Sequence, residues 1–401
     1  MNDKANAGHT ATSVVTNSSG NGAKWRNVFS LREMGVYYAL ILLVLILALV
    51  TTYLGSANYL SMRNISNVLY QASLPALMAV SMTVILVSGN FDLSVASVAA
   101  LSAAVLLGTA DSVGFLPAMG LAMLAAVLVG LINGTIVEFV GINAFIVTLG
   151  TLTAVRGLVM IYSDGKTMFV SDDTVIAAMK AFESGLVPVG YAVAVIGLAL
   201  AVVGGLRVAA DLRVGRGFLP HGVGMAAGGV LLLALALAAG FEITLAKPVI
   251  IMFLFTAIVW AVMNYSNFGR RLYAVGGNPE AARLSGINVT RYKLFAFALC
   301  SATAGLAGIL FASRLRSINP NAMQGTELTV IAAAILGGTS LFGGKGSVTK
   351  SVAGALLLFT LTNGFNIANL GANYQGFVEG VVVVAAAAIY SVGSSRVGGR
   401  R

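Results

Sequence analysis

Charged residues are scarce in this chain. Only 9% of its 401 residues are Asp, Glu, Lys or Arg, whereas a soluble domain carries about a quarter. The single cysteine, Cys300, has no partner for a disulfide, and the two histidines, His9 and His221, do not make an ordinary metal set. No nucleophile–base pair suggests a catalytic centre. These shortages exclude a disulfide-stabilised secreted domain and predict neither a metal site nor an enzyme.

Apolar residues are abundant instead. They make up 58% of the chain, with a mean hydropathy of +0.91, which predicts an all-α polytopic membrane protein. A spanning helix needs about 20 apolar residues, and twelve segments qualify: 35–54, 66–88, 93–110, 115–137, 144–162, 186–206, 221–241, 247–265, 292–313, 328–343, 348–366 and 376–392. The third and tenth are short and contain Gly or Ser, so broken or re-entrant segments are an alternative there.

The basic residues predict which side of the membrane each loop occupies. A net charge of +10 could suggest nucleic acid, but the Lys and Arg residues are scattered among short loops. If the N-terminus is cytoplasmic, 17 of the 24 lie inside and six outside, with Arg156 in a span. The positive-inside rule then places both termini in the cytoplasm, together with the charged segment 268–293. Residues 1–30 are predicted to be a disordered cytoplasmic tail and 393–401 a basic one, flanking a membrane domain over 31–392.

Segment 268–293 contains a predicted short helix. Asn278 suits the N-cap and Pro279 the first helical position, while Glu280 complements the positive end of the helix dipole. Gly286 can adopt the left-handed conformation that ends a helix. About two turns are not stable alone in water, so we expect this helix to rest on a partner protein.

This helix also carries a family resemblance. Glu280-Ala281-Ala282 followed by Gly286 resembles the EAA…G loop of ABC importer permeases, which forms a coupling helix that docks into an ATPase subunit. The longer string GGNPEAARLSGINV is similar to bacterial monosaccharide permeases of the ribose, xylose and galactose type. The apolar-x-Leu-Pro end of the general motif is missing here. The resemblance implies ATPase-coupling roles for Asn278, Glu280, Ala281, Ala282, Arg283, Ser285 and Gly286. Helical spacing predicts that Ala281, Ala282 and Ser285 share the face that docks on the ATPase.

The resemblance covers much of the remaining chain, through NISNVL at 64–69, FDLSV at 91–95, FIVTLG at 145–150 and IAAAILGGTSLFGGKGS at 331–347. The extra apolar pair at 186–241 makes the chain most similar to the longer xylose-type permeases. Glu379 stands where that pattern has a basic residue.

The implied protein is a bacterial inner-membrane permease with a ten-helix core and an inserted helix pair. It would import a monosaccharide, such as the pentose D-xylose, as a homodimer in membrane lipid. A cytoplasmic ATPase subunit would hold ATP and Mg, and a periplasmic sugar-binding protein would deliver the sugar. The chain itself would bind no cofactor, metal or nucleic acid.

A few polar residues within apolar segments have two interpretations each. Asp92, followed by Ser94, either lines a substrate pathway or caps the helix that begins there. Thr148 and Thr151 lie one turn apart and either line the pathway or bond back to their own helix. Arg156 is either paired inside the protein or extends towards the membrane surface.

Two further patterns bear on other functions, a phosphate-binding loop and ion-coupled transport. Gly337 to Ser347 is rich in glycine but does not fit the phosphate-loop spacing, so we interpret it as a helix-breaking turn. An ion-coupled secondary transporter is the main alternative function, and it would use carboxylates within the membrane. The candidates are Asp92, Glu138, Glu242 and Glu379.

Overall fold

The computed structural model describes residues 31–53, 55, 58–214 and 219–368, with 376, 377, 380, 381 and 384 beyond them. The predicted tails, 1–30 and 393–401, lie outside the described residues. So do Glu379 and nearly all of the predicted last span, 376–392.

Helices dominate the described residues, and the predicted all-α membrane fold is confirmed. In chain order the fourteen helices are α1 Leu31–Tyr53, α2 Met62–Val87, α3 Val95–Val113, α4 Phe115–Thr135, α5 Ala144–Tyr162, α6 Asp173–Glu183, α7 Gly190–Arg213, α8 Pro220–Ala238, α9 Lys247–Tyr265, α10 Asn267–Gly277, α11 Pro279–Leu284, α12 Val289–Leu315, α13 Thr326–Leu336 and α14 Val348–Ile367. A π-helical turn, Ile136–Val140, continues α4. Nine of the described helices are long and apolar enough to cross a membrane.

The two segments predicted to be short behave differently. The segment predicted at 93–110 is a continuous helix of 19 residues, Val95–Val113, so the alternative of a broken segment is wrong there. In the segment predicted at 328–343 the only helix is α13, which has 11 residues and begins two positions earlier, at Thr326. At 1.5 Å per residue α13 is about 16 Å long, roughly half the hydrocarbon thickness. The tenth segment is therefore a broken one.

Four short strands join loops that are distant in sequence. β1 (Met168–Phe169) pairs antiparallel with β4 (Ser317–Ile318), and β2 (Leu186–Pro188) pairs with β3 (Thr244–Ala246). Between β1 and β2 lies α6, an amphipathic helix that the search for long apolar runs did not predict. Asp172 caps α6 by accepting hydrogen bonds from the backbone N–H groups of Thr174 and Val175.

The chain divides into two compact units. The smaller contains Val189–Ile243 with the start of α1, and its helices α7 and α8 pack closely through glycines. At Gly204, for example, an added Cβ would lie 2.3 Å from the backbone nitrogen of Ala226. The larger unit holds the remaining helices. Its interior is formed mainly by α2, α3, α12 and α14, whose residues are mostly buried, whereas most residues of α5 and α9 are not.

Candidate functional site

The short helix α11 has the ends that the sequence predicts. The Asn278 side chain accepts a hydrogen bond from the backbone N–H of Ala281 at 3.0 Å, and Pro279 occupies the first helical position. Gly286 has φ +78°, and its N–H donates to the Arg283 carbonyl at 2.9 Å. The prediction of a capped helix over 279–285 is therefore confirmed, because local backbone chemistry is sufficient to define it.

The exposed face of α11 differs from the predicted one. Helical spacing predicts Ala281, Ala282 and Ser285 together on the outward face. Ala282, however, is only 4% exposed and packs with Val275 and Val289. Ala282 is thus part of the base that holds the helix. Its place outside is taken by Leu284, which the prediction omitted and which is 85% exposed.

The outward face of α11 is therefore formed by Ala281, Leu284 and Ser285, spaced by three and four residues. The side chains of Glu280 and Arg283 are both exposed beside this face, with Glu280 Oε2 3.8 Å from Arg283 Nη1. The Ser285 hydroxyl donates to the Ala281 carbonyl at 2.9 Å. The face combines a protruding apolar side chain with a charged rim.

The preceding helix, α10, anchors α11 to the bundle. Its buried residues, Gly269, Leu272, Val275 and Gly276, recur every three or four positions, as expected for one face of a helix. The Phe268 ring packs on Tyr292 and Phe295 of α12, with ring centroids 4.9 and 4.8 Å apart. α11 is thus held beside α12 by the packing of α10.

Asp92 lies in the turn before α3, whose N-cap is Ser94 and has no side-chain cap hydrogen bond, so the helix-capping interpretation is wrong. Its Oδ1 accepts from the Ser94 N–H at 2.9 Å and from the Ser94 hydroxyl at 2.5 Å. Its other oxygen, Oδ2, lies 3.5 Å from the Ser301 hydroxyl on α12. Asp92 is fully buried, so its charge is held by hydrogen bonds from its own helix start and from a neighbouring helix.

A chain of polar side chains continues from Asp92 across the bundle. The Asn133 amide on α4 donates to the Ser94 hydroxyl at 3.1 Å, and the Thr151 hydroxyl on α5 donates to Asn133 Oδ1 at 2.6 Å. Asn133 was not predicted, although a fully buried amide in an apolar helix is itself a signal. We call Asp92, Ser94, Asn133 and Thr151 the buried polar chain.

Thr148 does not join the buried polar chain. It is fully buried, and its hydroxyl donates to the Ala144 carbonyl of its own helix at 2.8 Å. Of the two threonines, only Thr151 connects helices.

Arg156 is paired inside the protein. Its Nη1 donates to the carbonyls of Pro320 and Ala322, at 2.7 and 2.9 Å. Both acceptors lie in the turn between β4 and α13. Glu327, in the first turn of α13, also interacts electrostatically with the guanidinium.

A second buried ionic cluster joins α2, α6 and α12. Glu183, at the end of α6, accepts from Arg314 Nε at 2.9 Å and from the Tyr70 hydroxyl at 2.5 Å. The Arg314 guanidinium also stands 3.7 Å from the centre of the Tyr70 ring. No sequence pattern predicts this cluster, because Tyr70, Glu183 and Arg314 are separated from one another by more than 100 residues.

Three of the four carboxylates named for ion coupling are ion-paired, exposed or outside the described residues. Glu138 forms a 2.9 Å ion pair with Lys293, and both side chains are largely buried. Glu242 is exposed, and Glu379 is outside the described residues. Across the described part of the chain, no group of three His, Cys, Asp or Glu residues could hold a metal ion.

Comparisons with known proteins place the chain among transport permeases. The profile described as "Branched-chain amino acid transport system / permease component" matches residues 64–387. The ribose import permease protein RbsC of Escherichia coli (strain K12) is 34% identical over 349 residues, which cover 87% of this chain and 91% of RbsC. RbsC of Bacillus subtilis (strain 168) is 31% identical over 89% of this chain and 92% of its own length.

The xylose transport system permease protein XylH of Escherichia coli (strain K12) is 31% identical over 392 residues, 96% of this chain and 97% of XylH. No solved structure matches the chain significantly. Because the profile and these alignments extend over most of the sequence, the chain belongs to the family of transport-system permease components described above.

Proposed function

We propose that this chain is the membrane-spanning subunit of an ATP-driven ABC importer that moves a monosaccharide across the bacterial inner membrane. The relatives named as ribose and xylose permeases support this assignment over most of their length. A pentose is the proposed substrate, and the XylH alignment, which spans 392 residues, favours D-xylose.

The observation that supports the proposal is the exposed apolar face of α11. Its outward face presents Leu284, which is 85% exposed, on a helix too short to exist without support. A buried leucine is stabilised by about 1.5–3 kcal/mol relative to an exposed one. A groove on an ATPase subunit would cover Ala281, Leu284 and Ser285, while Glu280 and Arg283 contact its rim. The ATPase, not this chain, would bind ATP and Mg.

The remaining partners follow from the importer assignment. A periplasmic binding protein would deliver the sugar, two permease copies would form the pathway within the lipid, and both termini would lie in the cytoplasm. We assign the buried polar chain, with Asp92, Ser94 and Thr151, to the wall of the pathway. Thr148 is left out, because its hydroxyl is bonded within its own helix.

Uptake in membrane vesicles that contain the permease, its ATPase and its binding protein tests this function. We expect uptake of D-xylose or D-ribose to need ATP and to persist with an uncoupler. An ion-coupled secondary transporter would show the reverse, losing uptake with the uncoupler and ignoring ATP.

Substitutions in α11 test the docking face. Leu284→Asp and Gly286→Val should leave insertion intact, since both residues are exposed outside the spanning helices, yet abolish uptake and weaken co-purification of the ATPase. Val at Gly286 would be strained at φ +78°. Leu212→Asp, at an exposed leucine near the end of α7, is the matched control and should retain ATPase binding. Normal uptake in both α11 variants at equal membrane levels would remove the docking assignment.

A further inference from the structure

Three segments that are distant in sequence meet through glycine backbones beneath α11. They are the turn after α2, the end of α10 and the turn between α13 and α14. We call Gly89, Gly276, Gly343 and Gly344 the glycine junction. A Cβ on Gly276 would lie 1.7 Å from the Val87 carbonyl oxygen, and one on Gly343 would lie 2.4 Å from the Gly276 carbonyl oxygen. The contact is therefore backbone against backbone.

Hydrogen bonds hold the same three segments together. The Gly344 N–H donates to the Val87 carbonyl at 2.9 Å, which joins the two turns. The Tyr273 hydroxyl of α10 donates to the Gly346 carbonyl at 2.9 Å. No side chain separates α10 from either turn at the junction, so a displacement of α10 is passed on directly rather than absorbed by rotamer changes.

The turn after α2 leads from the junction to the buried polar chain. Asp92 lies three positions after Gly89 along the chain, and it is the first member of the hydrogen-bonded series that reaches α4 and α5. The turn between α13 and α14 leads in the other direction to α13, the short broken helix. One turn thus joins two long helices and the other follows the short helix α13, and backbone can move in both turns without disrupting a continuous helix.

Each turn also contains a buried polar group without a hydrogen-bond partner among the described residues. These are Asn90 Nδ2 and Thr339 Oγ1. Buried polar groups without partners are costly, so a rearrangement of the turns that gives them partners is favoured on that account.

We propose that the glycine junction transmits the movement of α10 and α11 to the two turns, after α2 and after α13, and so couples ATP hydrolysis to opening of the sugar pathway. This inference rests on the proposed importer function. Gly276 acts as a positioning residue in it, because only a residue without a side chain lets α10 contact both turns at once.

The test uses the complete importer, reconstituted with its ATPase and sugar-binding protein in lipid vesicles. Uptake of radiolabelled D-xylose or D-ribose and release of phosphate are measured in the same sample, which gives the sugar moved per ATP hydrolysed. We expect Gly276→Ala to retain ATPase binding and hydrolysis and to lower this ratio by at least tenfold. A mere packing role would reduce the amount of folded protein but would leave the ratio unchanged.

Gly277→Ala is the matched control. It changes the neighbouring residue of the same helix, but its Cβ would meet nothing closer than 3.9 Å. We expect its ratio to remain within about twofold of wild type, a change of only about 0.4 kcal/mol in coupling. A Gly276→Ala ratio equal to that of Gly277→Ala overturns the inference.

A second variant decides the matter if Gly276→Ala does not insert. Tyr273→Phe removes only the hydroxyl that bonds Gly346 and should lower the ratio at least threefold, and an unchanged ratio overturns the inference. If wild type shows no ATP-dependent uptake of either sugar, the importer function fails and the inference falls with it. Normal coupling in the junction variants beside an active wild type refutes the junction alone.

Discussion

Removal of the Glu183 carboxylate should destabilise the protein strongly. Glu183 has a side chain that is 1% exposed, and it accepts hydrogen bonds from Arg314, Tyr70 and Ser184 at 2.9, 2.5 and 3.0 Å. In Glu183→Leu the Arg314 guanidinium, 19% exposed, would keep its charge without a counter-ion. Breaking a buried ion pair on one side costs about 3–5 kcal/mol, and we expect a loss of that size in the free energy of unfolding.

The double variant Glu183→Leu/Arg314→Met separates the charge from the packing. It leaves no uncompensated charge, and replacement of a buried pair by apolar residues is often close to neutral. We therefore expect it to recover at least about 2 kcal/mol of the loss seen in Glu183→Leu. The measurement is unfolding in detergent micelles followed by circular dichroism, with all variants at the same protein and detergent concentration.

Asp164→Asn provides the matched control. Asp164 and Lys166 form an ion pair at 2.6 Å, but their side chains are 84% and 77% exposed. An exposed pair contributes about 0–1 kcal/mol, and Asn tolerates the positive φ of Asp164. Equal losses of unfolding free energy in Asp164→Asn and Glu183→Leu would refute a special cost of the buried charge. A double variant as unstable as the sum of its single variants would refute it too.

Two further predictions concern topology and the turn before α3. A cysteine at Arg213 should be protected from an impermeant thiol reagent in intact cells and one at Asp172 should be labelled, since basic residues mark the cytoplasmic side; reversed or equal labelling contradicts the predicted orientation. Asp92→Asn should keep most uptake, because an amide oxygen can still accept from the Ser94 N–H, whereas Asp92→Leu should lower both folded yield and uptake. Selective loss of uptake in Asp92→Asn at normal expression would show that the charge itself is needed.

Features set by local chemistry could be predicted from the sequence. Bilayer thickness fixes the length of an apolar run, so the helices predicted from 35–54 to 292–313 were located to within seven residues at each end. The ends of α11 were predictable because Asn278, Pro279 and Gly286 act on backbone groups only a few residues away. The helix α6 was predictable in principle, since Asp172 is a good cap and Val175, Met179 and Phe182 repeat with a helical period.

Features set by distant contacts could not be predicted in this way. Ala281 and Ala282 are chemically identical, and only the packing of Ala282 on Val275 and Val289 makes one of them internal. Gly276 and Gly277 are adjacent and equally small, yet only at Gly276 would an added Cβ overlap the backbone of another segment. Sequence patterns record the period of a helix, but the partner of each face depends on the whole fold.

Arg156 illustrates how a broken span can exist within a bilayer. The chain from β4 to Gly343 returns in the direction opposite to α12. β4 follows the end of α12, whereas Gly343 contacts α10, and α10 packs beside the beginning of α12. Only 11 residues of this return are helical, and irregular backbone at membrane depth is tolerated only where protein groups satisfy it. The guanidinium of Arg156 does this for the carbonyls of Pro320 and Ala322. A charge in an apolar helix and a span too short to cross are therefore parts of one structural solution.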